Sequence, residues 1–374
     1  MKYHKRYLIK AIEKDLQKKM VFVGGPRQVG KTTLTQHLLG KNQDGYLNWD
    51  NVEHREKILK RELPPSKIWI FDEIHKYARW RNLIKGIYDT TRSERKIIVT
   101  GSARLDYYRK GGDSLVNRYR HFRLHPLSLC ELSSHPTASD LDRLLKFSGF
   151  PEPFFEAREN EHRIWRRDRV QRVIREDLRD LEYVREISLI EHLVQLIPEK
   201  VGAPLSIKSI REDLGVDHKS VERWLQILEN IYICFRISPF GSKRIRAVKK
   251  EQKVYLWDWT MVEEEGFRLE NLIASQLLKY CHFIEDTEGH SMELRFLRDT
   301  DKREVDFVVL KNQKPLFAVE AKTGEKNISP AISYFELRTD IPHFYQVHRG
   351  TKTYQRGRTT VLPFIKFCED LKMP

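Results

Sequence analysis

A glycine-rich stretch near the N-terminus carries the most specific chemical signal in the chain. The letters GGPRQVGKTT place Gly25 and Gly30 ahead of Lys31 and Thr32. Glycines at this spacing let backbone N–H groups turn toward a phosphate, while the lysine reaches the β- and γ-phosphates and the threonine hydroxyl can hold Mg²⁺. The residues expected to bind ATP are Gly25, Pro26, Arg27, Gln28, Val29, Gly30, Lys31, Thr32 and Thr33.

An acidic pair ends a later apolar run. The letters SKIWIFDEIHK read as a buried strand that finishes in Asp72 and Glu73. Beside a phosphate loop, Asp72 would bind Mg²⁺ through water and Glu73 would polarise the attacking water. The pair therefore predicts hydrolysis of ATP as well as binding, and the alternative is two solvated acids at a strand end.

A second acidic group lies in the letters REVDFVVLKNQKPLFAVEAKTG. A hairpin pivoting about Gln313 sets Asp306 opposite Glu320, and Glu304 opposite Lys322, on one face. Facing acids repel unless something positive lies between them, and Mg²⁺ or Mn²⁺ held by Asp306 and Glu320 is a candidate. Lys322 would then position or deprotonate a water at a scissile phosphate. The alternative is an exposed sheet face on which Glu304 pairs with Lys322.

The elements that must position these residues can be read from the flanking letters. Residues 20–23 predict a short buried strand before the glycine-rich loop, and the leucines at 34, 38 and 39 predict a helix after it. The run RKIIVTGSAR predicts another strand, ending in Thr100, Gly101 and Ser102. A hydroxyl at this strand end could sense the γ-phosphate or position water.

The order GPRQVGKTTL, FDEIHK, VTGSA and PLSLCEL resembles a prokaryotic group of AAA+ ATPases over the first 130 or so residues. The resemblance implies that Ser102 is sensor 1. It also implies that Arg118 is an arginine finger acting on the neighbouring subunit's nucleotide, with Arg120 as its rival, since Asn117 replaces the usual preceding glycine. A finger supplied in trans implies a homo-oligomer, for which a ring is one arrangement.

The C-terminal pattern resembles the restriction-endonuclease-like PD-(D/E)xK nucleases. A helix carrying Glu270 precedes a strand with Asp306 and a strand with Glu320-x-Lys322. The resemblance implies a metal-dependent nuclease whose metal is held by Glu270, Asp306 and Glu320. The proline of the family name is replaced by Val305, and such domains can lose metal binding while keeping the fold.

The middle of the chain reads as helical. The letters LSIKSIREDLGVDHKSVERWLQILENIYICFRISPF predict a helix, a turn at Gly215, a second helix and a strand, as in a winged helix. His218, Lys219, Ser220 and Arg223 would then meet DNA, unless the module packs as a lid or subunit contact.

An arginine-rich helix precedes this module. Its arginines could contact phosphates or pair with acids of the same helix. They are Arg166, Arg167, Arg169, Arg172 and Arg175.

The amino-acid composition limits which binding partners and which cellular compartment are expected. The 374 residues carry a net charge of +15, which favours nucleic acid first and an anionic membrane second, although a charge-rich solvated surface is the alternative. No apolar run reaches the roughly 20 residues of a membrane span. The four cysteines form no C-x-x-C pair, so we expect a cytoplasmic protein without a zinc knuckle or disulfide framework.

Together these patterns predict an α/β chain of three domains. Residues 1–150 would form an AAA+ P-loop domain, residues 151–240 a helical and winged-helix domain, and residues 241–374 a nuclease-like α/β domain, with a boundary in the turn FSGFPEPFF. Three functions stay open: an ATPase coupled to a DNA nuclease, a remodelling ATPase with a silent docking module, and a nucleotide-gated switch acting on a protein.

Overall fold

The computed structural model describes residues 4–101, 115, 117–177, 186–241 and 251–374. Ser102 and most of the basic connector near residue 245 lie outside them. The described residues divide into two units, one drawn from residues 1–125, 171–184 and 230–232 and the other from residues 126–170, 185–229 and 233–374. Each unit has its own sheet.

The first unit contains a parallel sheet with the strand order β2-β3-β4-β1-β5 in the described residues. Its strands are β1 (Met20–Gly24), β2 (Tyr46–Asn48), β3 (Ile68–Asp72), β4 (Lys96–Gly101) and β5 (Tyr119–Arg123). Its helices include α1 (Ile9–Asp15), α2 (Lys31–Leu39), α3 (Val52–Lys60) and α4 (Trp80–Thr91). The predicted strand, loop and helix around the glycines are confirmed.

Apolar residues decide where these elements lie. All five residues of β1 are buried, and α4 buries Trp80, Ile84 and Ile87 at helical spacing. Because β3 and β4 are parallel neighbours, their carboxyl ends meet at one sheet edge, where Asp72 is in register with Thr100. This edge also receives the glycine-rich loop, since β1 pairs with β4 on its other side.

The second unit contains a mixed sheet with the order β12-β13-β11-β10-β9-β8-β6-β7 among described residues. Its strands are β6 (Cys234–Pro239), β7 (Lys253–Leu256), β8 (Met292–Arg298), β9 (Glu304–Lys311), β10 (Lys314–Ala321), β11 (Phe344–His348), β12 (Tyr354–Arg356) and β13 (Thr359–Pro363). Helices from residue 126 onward are α5 (Leu129–Leu132), α6 (Ala138–Phe147), α7 (Pro151–Glu156), α8 (Glu159–Arg172), α9 (Ile187–Leu196), α10 (Ile207–Leu214), α11 (His218–Asn230), α12 (Glu265–Glu288), α13 (Pro330–Glu336) and α14 (Phe364–Asp370). None of the helices described here is long and apolar enough to cross a membrane.

The interpretation of FSGFPEPFF as a turn was wrong beyond Phe150. Residues 151–156 form α7, with Phe150 as its N-cap and Pro151 at the first helical position. Proline suits that position, because its fixed φ is helical and its missing N–H has no partner to lose there. The break before the helix lies at Ser148, whose φ of 70° ends α6.

The predicted helix, turn, helix and strand of the winged-helix module are confirmed as α10, Gly215, α11 and β6. Gly215 has a φ of 65° and follows α10 as its left-handed cap. The strand β6 pairs antiparallel with β7 and parallel with β8. It therefore continues the C-terminal sheet across the boundary expected near residue 240, and the three-domain division stays a prediction.

The hairpin register expected for β9 and β10 is confirmed for the residues further from the turn. Phe307 faces Val319 and Val309 faces Phe317, the pairing that a pivot at Gln313 requires. The register shifts between Pro315 and Phe317, and the turn itself is formed by Asn312 and Gln313, with φ values of 52° and 65°. Two consecutive left-handed residues are typical of the tight turn that matches strand twist.

This turn generates a prediction about stability. Replacing Gln313 with glycine should raise the free energy of unfolding by about 0.5–1 kcal/mol, because a side chain strains the left-handed backbone. The same change at Gln355, an exposed position within β12, should lower it, because glycine weakens a strand. Urea unfolding of both variants checks the pair, and equal effects would contradict the assignment of strain to the turn.

Candidate functional site

The glycine-rich loop between β1 and α2 has backbone angles that glycine must supply. Gly25 has a φ of 149°, and a Cβ there would lie 2.3 Å from the carbonyl oxygen of Leu124. Gly30, the residue before α2, has a φ of 95°. The loop therefore wraps tightly and leads directly into the N-terminus of a helix, the arrangement in which backbone N–H groups and the helix dipole favour a phosphate.

The side chain of Lys31 folds back into the glycine-rich loop that precedes this residue. Its side chain is buried, and Nζ donates to the carbonyl oxygens of Gly25 at 2.9 Å and Pro26 at 2.7 Å. Phosphate oxygens at the loop would compete for the same N–H groups. The ammonium therefore lies inside the glycine-rich loop, and its contact with a nucleotide stays a prediction.

Asp72 is the centre of the site at the sheet edge. Its carboxylate is 4% exposed and accepts hydrogen bonds from Thr32 Oγ1 at 2.9 Å, from Tyr46 Oη at 2.6 Å and from Thr100 Oγ1. Burial, and next the charge of Asp72, raise the pKa of the Tyr46 hydroxyl, which stays a donor. The two predicted Mg²⁺-binding residues, Thr32 and Asp72, are therefore in direct contact.

Glu73 follows in a strained conformation. Its φ of 57° is left-handed, which is costly for a residue with a side chain. Its carboxylate lies 3.8 Å from His75 Nε2 and 3.9 Å from Lys76 Nζ. The role of Glu73 in polarising water stays a prediction.

Two residues of this site were not predicted to act there. Tyr46 reaches Asp72 from β2, and Thr100 reaches it from β4, whereas the sequence suggested a hydroxyl aimed at the γ-phosphate. The parallel register places Thr100 beside Asp72, which explains the contact between them. Ser102, the residue expected to sense the phosphate, lies outside the described residues.

The arginine-finger candidates make contacts within the first unit. Arg118 Nε donates to Asp89 Oδ1 at 2.8 Å, a bond that lowers the pKa of Asp89. Arg120 lies 3.8 Å from Asp15, with 58% of its side chain exposed. Asn117 has a φ of 63°, so it adopts the backbone conformation that favours the glycine it replaces. The choice between the two arginines stays open.

The second acidic group is centred on a lysine that the sequence interpretation did not include. Lys253, on β7, is fully buried, and its Nζ lies 3.2 Å from Glu270, 2.5 Å from Glu304 and 3.8 Å from Asp306. Tyr255, two residues further along β7, donates to Glu270 at 2.7 Å. Lys253 follows the basic run SKRIRAVKKEQ, where one more lysine carries no signal of burial.

Asp306 and Glu320 lie side by side, as predicted. The Asp306 N–H donates to Glu320 Oε2 at 3.4 Å, and the Ala321 N–H donates to Asp306 Oδ2 at 2.9 Å. Lys322 Nζ donates to Glu320 Oε1 at 2.5 Å. The alternative in which Glu304 pairs with Lys322 is wrong, because Glu304 instead pairs with Lys253 and Arg298.

The pKa shifts follow from this crowding. Burial, with the charges of Glu320 and Glu270, raises the pKa of Asp306 well above its ordinary value, although Lys253 opposes the shift. Burial likewise raises the pKa of Glu320, against the charge of Lys322. Burial alone would lower the pKa of Lys253, but Glu270, Asp306 and Glu304 together raise it. The ionised forms of Asp306 and Glu320 are therefore stabilised by the neighbouring ammonium groups of Lys253 and Lys322.

This arrangement does not fit a divalent metal at Glu270, Asp306 and Glu320. The ammonium of Lys253 lies where a cation shared by Glu270 and Asp306 would lie, and Glu320 is bonded to Lys322. No group of three or more His, Cys, Asp or Glu side chains is arranged to hold a metal in the described ranges. Each of the two facing acids instead has a cation of the chain beside it, Lys253 for Asp306 and Lys322 for Glu320.

A cavity of about 340 Å³ opens beside this cluster. Asp306 and Lys322 line it, together with Lys326 and the exposed ring of Phe267. Both charged and apolar groups are therefore accessible from one opening.

The basic surfaces predicted for DNA differ in their exposure. His218, Lys219 and Arg223 are exposed on α11. Ser220 instead donates its hydroxyl to Asp217 at 2.7 Å, in the cap of the same helix. Beneath α11, Arg236 of β6 bonds to Glu222 and Glu229 and so anchors the helix to the sheet.

The arginines of α8 do not form one phosphate-binding face. Arg169 is 2% exposed and stacks over the ring of Phe150 at 4.1 Å. Arg166 donates to the carbonyl oxygen of Thr260 at 2.8 Å. For these two, contacts within the second unit hold the guanidinium groups, so they do not share one exposed face with the other arginines.

Comparison with known protein families agrees with the AAA-type domain predicted at the N-terminal end of the chain. Residues 17–133 match the model of an AAA domain, so this part of the chain is an AAA-type P-loop domain. Residues 138–263 match a domain of unknown function (DUF8612), and residues 265–367 match another (DUF4143). The family resemblance inferred from the first 130 residues is confirmed at this level.

Similar whole proteins are distant. An uncharacterized protein of Methanocaldococcus jannaschii is 22% identical over 394 residues, which cover 87% of this chain and 80% of the relative. An uncharacterized protein of Mycobacterium tuberculosis is 23% identical over 244 residues, covering 64% of this chain and 54% of the relative, so the chain spans about half of that relative's length.

One solved structure, a signal transduction ATPase with numerous domains and a tetratricopeptide repeat sensor from Pyrococcus horikoshii, is also similar. It is 14% identical over 74% of this chain and 47% of its own. Its TM-score of 0.24 is too low to carry an argument.

The contact between Thr100 and Asp72 can be tested with a matched pair of variants. Thr100→Val should lower the free energy of unfolding by about 1.5–3 kcal/mol more than Thr100→Ser, because only valine leaves the buried carboxylate without this donor. ATP hydrolysis should fall in the same order. Urea unfolding and a phosphate-release assay check both effects, and equal stability of the two variants would contradict the assigned bond.

Proposed function

We propose that this protein is an ATPase that binds ATP with Mg²⁺ in its AAA-type domain and hydrolyses it. The observation that carries the proposal is the hydrogen bond between Thr32 and Asp72 at the edge where the glycine-rich loop enters α2. Thr32 and Asp72 would hold Mg²⁺, which neutralises charge on the β- and γ-phosphates. ATP would lie on the backbone N–H groups of residues 25–33.

The chain's other residues at this edge have separate tasks. Lys31 exchanges the carbonyl oxygens of Gly25 and Pro26 for phosphate oxygens, so its charge moves little on binding. Glu73 orients and polarises the attacking water. Thr100 and Tyr46 fix the carboxylate of Asp72, which keeps both of its oxygens oriented before the nucleotide arrives.

The catalytic arginine would come from a neighbouring copy, which makes the active species a homo-oligomer. Arg118 must leave Asp89 to act in this way, whereas Arg120 is exposed and lies 3.8 Å from its acid. A surface ion pair contributes roughly 0–1 kcal/mol, so either arginine can be released at small cost.

We further propose that the protein acts on DNA. The net charge of +15 favours a polyanion, and the exposed face of α11 offers His218, Lys219 and Arg223 together. The bond network of Arg236 beneath α11 would hold this helix at a fixed angle. A protein partner for the second unit is the alternative.

For the C-terminal sheet, we propose a docking module without cleavage activity. The buried ammonium of Lys253 among Glu270, Glu304 and Asp306 supports this proposal, because it already supplies these acids with a cation. ATP hydrolysis would then drive remodelling or signalling rather than DNA cleavage.

We propose the cytoplasm as the site of action, because the four cysteines are free, as expected in a reducing compartment.

A second candidate is a nuclease with the restriction-endonuclease-like fold. One observation favours it: the helix-borne Glu270, the strand-borne Asp306 and the Glu320-x-Lys322 strand converge in that order, and Asp306 and Lys322 line one open cavity. Cleavage of linear or supercoiled DNA with Mg²⁺ or Mn²⁺, lost in Asp306→Ala, would establish this candidate over the docking module.

The ATPase proposal predicts different losses for two substitutions. Lys31→Ala should abolish ATP binding, because the phosphates lose their buried cation. Glu73→Gln should keep ATP binding but lower the hydrolysis rate about 10²-fold or more, because only the polarising acid is lost. Fluorescent-nucleotide binding and phosphate release measure the two steps. Wild-type hydrolysis in Glu73→Gln would remove Glu73 from the mechanism.

The DNA proposal predicts a salt dependence. Binding of duplex DNA should weaken steeply with salt, and Lys219→Ala or Arg223→Ala should each reduce the slope of log affinity against log salt by about 1. Lys60→Ala, an exposed lysine on α3, serves as the control and should leave the slope unchanged. Slopes that stay equal in all variants would exclude α11 as the DNA-binding helix.

A further inference from the structure

The buried lysine of the second unit, which supports the docking-module proposal, also bears on what the acidic cluster can bind. Lys253 is 0% exposed, although lysine is almost never fully buried unless it is paired. Desolvating an ammonium costs several kcal/mol, which only close opposite charges and hydrogen bonds offset. A fully buried lysine therefore marks a place where the surrounding charges require a cation.

The surroundings supply three carboxylates from two other elements. Glu270 comes from α12, while Glu304 and Asp306 come from the same face of β9. Their oxygens lie 3.2, 2.5 and 3.8 Å from Lys253 Nζ, respectively. A single ammonium thus links β7, α12 and β9 at one point.

The position of Lys253 is fixed by its backbone as well. It is paired with Ile237 in the β6–β7 ladder and forms a bridge with Pro204 on its other side. Its stem passes over the ring of Phe296, with Nζ 5.8 Å from the ring centroid. The ammonium is therefore held by strand pairing and packing as well as by charge.

Two further cations of the chain pair with the acids of this cluster. Lys322 bonds to Glu320, and Arg298 bonds to Glu304 at 2.7 Å. Four carboxylates thus face three cationic side chains. A divalent cation entering between Glu270 and Asp306 would have to displace Lys253, and would leave a buried ammonium with fewer counter-charges.

We infer that Lys253 is the resident cation of this acidic cluster and takes the place that a divalent metal would hold, so that the wild-type cluster binds neither Mg²⁺ nor Mn²⁺. Lys253 aligns β7, α12 and β9 by charge, and the cavity beside it is built without a metal. The inference concerns the second unit and stands whether or not ATP is hydrolysed by the first.

The first test uses the wild-type full-length protein without nucleotide. Binding of Mn²⁺ is followed by the electron paramagnetic resonance signal of the free ion, beside Asp306→Asn and Asp72→Asn. We expect Asp306→Asn to remove no Mn²⁺ site. A site that Asp306→Asn removes and Asp72→Asn keeps would overturn the inference, and any weak site lost only in Asp72→Asn belongs to the ATP edge.

The second test removes the cation. Lys253→Met keeps the length and the apolar stem of the side chain but not its charge, whereas Lys253→Arg keeps the charge and is the matched control. We expect Lys253→Met to bind Mn²⁺ at least about tenfold more tightly than the wild-type protein, and Lys253→Arg to bind it no better. Equal, weak binding in all three proteins, with Lys253→Met as stable as wild type, would overturn the inference.

A thermal-unfolding measurement tests the inference even if Lys253→Met is destabilised. If the ammonium is the cation of the cluster, millimolar Mn²⁺ should raise the thermal midpoint of Lys253→Met in an Asp72→Asn background, and leave those of Asp72→Asn alone and of Lys253→Arg in that background unchanged. A variant that stays unfolded at every Mn²⁺ concentration would show that a divalent ion cannot replace Lys253, and the inference would fall.

Discussion

Both units depend on the same constraint, that a carboxylate buried at the end of a strand must be satisfied by donors or cations from neighbouring elements. In the first unit, the hydroxyls of Thr32, Tyr46 and Thr100 converge on Asp72. In the second, Lys253 and Lys322 converge on the acids of α12, β9 and β10. Neutral donors leave Asp72 its full negative charge for a metal, whereas ammonium groups offset part of the charge of the other acids. The difference in donor type separates a site prepared for a cation from one that already contains it.

Much of the first site follows from the sequence, because its residues are close in the chain or lie at the ends of recognisable buried strands. The order glycine-rich loop, helix and acid-ended strand fixes Lys31, Thr32 and Asp72 to one sheet edge. Tyr46 could not be placed in this way. It lies on a short strand, and only the pairing of β2 with β3 brings its hydroxyl to Asp72.

Only part of the second site could be predicted from sequence patterns. The hairpin register follows from the turn and the alternation of apolar residues, so Asp306 and Glu320 could be paired correctly. The charge between the acids could not be identified, since Lys253 is distant in sequence and its burial depends on β7 joining the sheet through β6. Arg169 is a similar case, because the arginine-rich pattern of its helix predicts phosphate contacts or ion pairs within the helix, while packing on Phe150 buries it. In both, long-range packing overrides a local charge pattern.

The central claim is that Lys253, and not a divalent metal, is the cation that lies among Glu270, Glu304 and Asp306. The most direct measurement is a crystal structure of the nucleotide-free protein grown with Mn²⁺, with an anomalous difference map calculated at the manganese edge. The account predicts no anomalous peak among Glu270, Asp306 and Glu320, and Lys253 Nζ within hydrogen-bonding distance of Glu270 and Glu304. A manganese peak between Asp306 and Glu320, with Lys253 turned away, would contradict it.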